Sequence, residues 1–238
     1  MTANTSANGR KPIASYWHTL GFVLLSIAPV IYGIAMQKGG TETPAIEPAT
    51  PERIKFYLIS IGVNWLLFYF CWVGVHWKGG NFFELAGRWN NARNVLKQVA
   101  IAIPFWVVWE LAAWAVHRML GPDQAKSMQP LLPQSFLEVA LWLAVCLTAG
   151  FCEEMIFRGY LQRQFLAMSG SMAIAIVGQA FFFGIGHVYQ GWKQVGLIVV
   201  LGVLYGVLAA WRKDLRANII AHAWSDVWEG WLKFRVLR

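Results

Sequence analysis

Long apolar runs alternate with short polar ones along this chain. Residues 17–36, 54–75, 99–116 and 136–152 are almost uncharged, and the last run ends on the pair Glu153-Glu154. Three more apolar stretches follow at 171–186, 195–211 and 215–234, the last interrupted by polar residues. About twenty apolar residues in a helix span ~30 Å of hydrocarbon, so the pattern predicts an all-α, polytopic integral membrane bundle of about seven transmembrane helices. A cleaved signal peptide has a shorter apolar part and ends in small residues, so the first run reads as an anchored helix. In "NFFELAGRWNNARNVLKQ", Phe82, Leu85, Trp89, Ala92 and Leu96 recur at helical spacing, which predicts an amphipathic helix in the headgroup plane. Residues 1–15 read as a disordered lead, 39–52 and 121–134 as loops. Residues 16–238 then form a single transmembrane domain.

Composition sharpens this picture. The 238 residues are 57% hydrophobic and 13% charged, where a soluble domain carries about a quarter charged residues. A water-soluble globule is excluded. The net charge of +8 comes from Lys and Arg scattered between apolar runs rather than gathered in a stripe. That distribution speaks against nucleic acid and for anchoring beside anionic headgroups. It leans slightly toward a cytoplasmic N-terminus, with the basic tail Lys233, Arg235 and Arg238 counting the other way. Cys71, Cys146 and Cys152 lie in or beside apolar runs without CxxC spacing and read as buried free thiols. His18, His76 and His117 fall at span ends, where water accounts for them, and Asn64 reads as an interhelical hydrogen-bond donor.

Candidate chemistry is confined to three clusters in the second half of the chain: Glu153-Glu154-x-x-x-Arg158, Phe183-Gly-Ile-Gly-His187 and His222-Ala-Trp-Ser-Asp226. An ionisable side chain in a span costs at least ~2.5 kcal/mol at the helix centre and marks a functional site by default. Glu154 and Arg158 are four apart, share a helix face and can pair. Glu153 points roughly 100° away from that pair, which suits it to accept a proton from water. His222 and Asp226 repeat the four-residue spacing, so the carboxylate can orient the imidazole or add a ligand. Two arrangements follow. Glu153, His187 and His222 could hold a divalent metal such as zinc with one open position. Alternatively Glu153 and His187 activate water directly, and His222 with other donors steadies an oxyanion. There is no HExxH, so an ordinary zincin is excluded.

EExxxR, FxxxH and HxxxN/D, in this order on successive apolar helices, resemble the CAAX-protease and bacteriocin-processing (Abi, type II CAAX prenyl endopeptidase) family of intramembrane proteases. The resemblance covers about residues 135–230. It implies peptide-bond hydrolysis by water activated at Glu153 and His187, with or without a metal, on a peptide or prenylated protein substrate. The family's last position is often Asn and is Asp226 here; an ionised Asp cannot donate to an oxyanion as an amide does. Competing classes are an ion- or proton-coupled transporter and a non-catalytic membrane scaffold or bacteriocin-immunity protein. A transporter would show inverted repeats with paired broken helices, and none is visible. Either way the chain is expected to be multi-pass in a membrane, the cell membrane if bacterial.

Overall fold

The computed structural model describes residues 11–38, 51–120 and 131–232. The described residues are helical nearly throughout, without strands. Helix α1 is Tyr16–Lys38, α2 Pro51–Trp77 and α3 Ala92–Leu120. Helix α4 runs continuously over Phe136–Ser169. Helices α5 (Met172–Ile185), α6 (Trp192–Arg212) and α7 (Arg216–Val227, prolonged by a π-turn at Trp228–Leu232) complete the bundle. Four of them, α2, α3, α4 and α6, are long and apolar enough to cross a membrane. Helix α7 is too short to do so, and Asn218, His222, Ser225 and Asp226 interrupt its apolar face.

The core is apolar, but the exterior is apolar too and several polar side chains lie inside. Leu66, Leu111 and Leu147 lie exposed on the outside, whereas Glu154, Gln162, Gln164, Gln179 and Asn218 are wholly or almost wholly enclosed. Apolar exteriors cost nothing in lipid, while polar groups must find partners inside. The buried amides do so across helices: Gln179 donates to the Gly202 carbonyl (2.8 Å) and Gln162 to that of Gly206 (3.1 Å). Small residues permit this approach, since a Cβ on Gly202 would stand 2.9 Å from the Ala180 backbone.

Helix α4 is the axis of the molecule and packs against α2 on one side and α7 on another. Its start is fixed by a capping box in which the Ser135 hydroxyl accepts from the Glu138 amide and the Glu138 carboxylate accepts from the Ser135 amide. Glu138 also meets Arg53 of α2 at 3.1 Å, both buried. At the far end Gly170, with φ +67°, turns the chain into α5.

Several expectations need correcting. The amphipathic helix over 82–96 does not form as one piece. Asn81 caps a short 3-10 turn at Phe82–Ala86, Gly87 then takes φ +92°, and helix resumes only at Ala92, the first residue of α3. The reason is burial: Phe82 sinks into the core against Phe68 rather than lying in a plane with Trp89 and Leu96. The lead 1–15 lies mostly outside the described residues, but its last part is tied down, with the Ile13 and Ala14 amides donating to Gln164 and Ala14 fully buried. Asn64 bonds its own helix at the Ser60 carbonyl (3.1 Å) rather than a neighbour. His18 is not left to solvent: its Nδ1 lies 2.8 Å from the Tyr160 hydroxyl and its ring stacks on Phe70 at 4.2 Å. The loop 39–52 and the loop at 121–134 fall largely, and the tail Lys233, Arg235 and Arg238 entirely, outside the described residues. Cys71, Cys146 and Cys152 are free and buried, as their surroundings predict.

Candidate active site

The glutamate pair sits where α4 changes its winding. From Glu154 to Leu161 the helix is of the π type, closed by the Gln162 amide bonding the Phe157 carbonyl five residues back. Such wide turns are rare and cluster at functional sites. Glu154 and Arg158 stay on one face, with Arg158 Nη1 2.8 Å from Glu154 Oε1 and both side chains without solvent contact. Arg158 then lies under two rings, 4.3 Å from the centre of Phe183 and 5.1 Å from that of Tyr205. Its Nε and Nη2 have no hydrogen-bond partner among the described residues, so the aromatic faces supply the rest of its stabilisation.

Helix α7 delivers the second half of the cluster. Asn218, His222 and Asp226 are four apart and line one face. Asn218 Nδ2 donates to Glu154 Oε2 (3.1 Å) and to the Tyr205 carbonyl (2.9 Å). His222 Nδ1 is 2.8 Å from Glu154 Oε1, and because the carboxylate accepts, Nδ1 carries the proton. Its Nε2 is thereby turned toward Glu153 Oε2 and Asp226 Oδ2, each at 3.7 Å. The imidazole lies nearly parallel to Tyr205, 5.4 Å away and tilted by 25°. Close approach of the two helices comes from Gly150, where a Cβ would fall 2.8 Å from the Ala223 backbone nitrogen.

Helix α5 brings Phe183 and His187. His187 Nδ1 bonds the Phe183 carbonyl at 2.8 Å, which fixes the ring. Phe183 meets His187 on one edge (5.1 Å) and His222 on another (5.8 Å), so both histidines flank one aromatic ring. His187 forms no hydrogen bond or ion pair with Glu153 or His222 among the described residues.

Glu153, Glu154, Arg158, His222 and Asp226 thus meet directly, and His187 joins them through Phe183. Exposure separates the two glutamates. The Glu154 side chain has none, whereas that of Glu153 keeps 15%. Glu153 is therefore accessible from outside the packed cluster and Glu154 is not.

A metal held by Glu153, His187 and His222 would need the three side chains to converge on one point. Among the described residues no group of three or more His, Cys, Asp or Glu is placed to hold a metal ion. His222 Nδ1 is committed to Glu154 and His187 Nδ1 to the Phe183 carbonyl, which leaves each Nε2 as the nitrogen open to a ligand or to water.

Two residues of the cluster escaped the sequence reading. Asn218 extends the HxxxD face by one turn, a signal visible as NxxxHxxxD. Tyr205 stands alone in the apolar run of α6 and gave no sign of its stacking role. Residues 135–228 match the family model described as type II CAAX prenyl endopeptidase Rce1-like. No curated protein and no solved structure matches the chain. The matched segment supplies every side chain of this cluster, and its resemblance is to the CAAX-protease and Abi family.

Proposed function

We propose that the chain is a multi-pass, membrane-embedded endopeptidase in which Glu153 activates water for attack on a peptide carbonyl. One observation carries the reading: a buried imidazole, His222, is anchored through Nδ1 on Glu154 and presents Nε2 to the half-buried Glu153. The 3.7 Å gap is too long for a direct hydrogen bond and close enough for one water beside it to touch both groups. Glu153 takes a proton from that water, and the hydroxide adds to the carbonyl carbon. The proton on Glu153 then passes to the departing amine as the C–N bond breaks, which restores the carboxylate. The developing oxyanion needs donors. His222 Nε2, when protonated, and the free nitrogen of His187 are the candidates. Asp226 serves by orienting His222 and keeping its charge, not by donating to the oxyanion. Arg158 and Asn218 hold Glu154, and through it the imidazole.

The substrate class follows from the family match: a peptide or a prenylated protein.

The test uses the purified full chain in detergent with a library of prenylated and unprenylated peptides, with and without chelator. The reading predicts cleavage that falls at least ~100-fold in His187→Ala, the usual scale for loss of an oxyanion or proton-transfer group, and that survives chelation. Abolition by chelator with rescue by zinc would contradict the metal-free route. Proton flux in liposomes without proteolysis would replace the peptidase by a transporter.

A further inference from the structure

Away from the glutamate cluster, a cleft of about 590 Å³ opens where the start of α3 meets the end of α6 and the start of α7. We infer that it binds the phosphate of an anionic lipid headgroup. Arg93, Lys97, Arg212 and Arg216 line it together with Asn94 and Gln98.

Two of the cations are built into place. Arg216 Nη1 donates to Asn94 Oδ1 (2.9 Å) and to the Arg88 carbonyl (2.5 Å), while its Nη2 meets Asp214 at 3.1 Å. Arg212 Nη2 reaches the buried Gln98 Oε1 at 3.4 Å and Asp214 at 3.7 Å. Its Nε is enclosed and has no hydrogen-bond partner among the described residues. Arg93 and Lys97 are exposed and form no ion pair among the described residues. Two of the four cations therefore pair with Asp214 and two with no carboxylate among the described residues. Positioned guanidinium groups suit phosphate oxygens, which they can meet with parallel N–H donors.

The surroundings favour a lipid over a free anion. The cleft lies at the ends of two candidate spans, Ala92–Met119 and Trp192–Arg212, which is the depth of headgroups. Leu96 and Trp211, 67% and 71% exposed, stand beside its cations in the chain. An acyl chain can lie along them while its phosphate enters the cleft, and tryptophan at this level is a usual interfacial anchor. A soluble phosphate would leave both side chains without a partner.

This inference does not depend on peptidase activity. The experiment is native mass spectrometry of the full chain in detergent, titrated separately with phosphatidylglycerol, phosphatidylcholine and inorganic phosphate. The wild type should retain phosphatidylglycerol at least ~10-fold more tightly than phosphatidylcholine. The doubly substituted variant Arg93→Ala/Lys97→Ala, which changes exposed positions only, should melt as the wild type does and lose most of that preference, about tenfold or more. Equal retention of the two lipids would overturn the inference. So would a preference unchanged in the double variant, or binding of inorganic phosphate with no lipid retained.

Discussion

At Glu154 three donors meet one carboxylate: Arg158 Nη1 and His222 Nδ1 on Oε1, and Asn218 Nδ2 on Oε2. Glu154→Gln removes the negative charge that compensates a fully buried guanidinium, a loss of ~3 kcal/mol or more. It should therefore lower the melting temperature in detergent markedly, and activity with it. Asn218→Ala deletes one donor without uncovering a charge. The expected cost is ~1–2 kcal/mol, with a fall in kcat and little change in KM, because Asn218 touches Glu154 and not the substrate. A KM effect with unchanged kcat would place Asn218 at the substrate instead. Much of this residue-level arrangement was legible in the sequence. The four-residue spacing of Glu154 and Arg158 is enough to predict their pair. That His222 would bind the first turn of the π segment was not, because contacts between helices leave no periodic trace in either one.

The π-wound segment of α4 and the close contact of α4 with α7 decide where the reacting groups stand. Glycine at 150 lets the backbone of α7 come within reach of Glu153, and Gly150→Ala would place a methyl 2.8 Å from the Ala223 backbone nitrogen. Backbone cannot swing aside as a flexible side chain can, so α7 must shift by tenths of an ångström. The expected cost is ~1–3 kcal/mol in stability and about tenfold or more in kcat, since misplaced groups lose rate steeply. Wild-type kcat in a folded Gly150→Ala protein would show that the α4–α7 spacing does not matter. Helix boundaries were readable from the sequence within a few residues for α1, α2, α5 and α6, but α3 begins at Ala92 rather than Val99 and α4 continues past the glutamate pair to Ser169. The failure at 82–96 has a physical cause: helical spacing of Phe82, Leu85 and Trp89 is equally compatible with a turn that buries Phe82 and Ala86 once Gly87 breaks the winding.

Among the described residues, large apolar side chains cover much of the exterior while several polar ones are enclosed, and four helices are long and apolar enough to cross a membrane. The protein should therefore remain in the membrane fraction after alkaline carbonate extraction; release into the supernatant would contradict the transmembrane reading. Composition alone carried this conclusion, since 13% charge cannot clothe a soluble chain of this length. Sequence could also order the three motifs along the chain. It could not show that Phe183 would stand between the two histidines, or that His187 would form no hydrogen bond with Glu153. The most direct test of the hydrolytic centre is the cleavage rate of purified Glu153→Gln relative to wild type. The account predicts a melting temperature close to that of the wild type, because His222 is held by Glu154 at 2.8 Å and lies 3.7 Å from Glu153, and a rate reduced at least ~100-fold. A folded Glu153→Gln protein that cleaves within threefold of the wild type would contradict it.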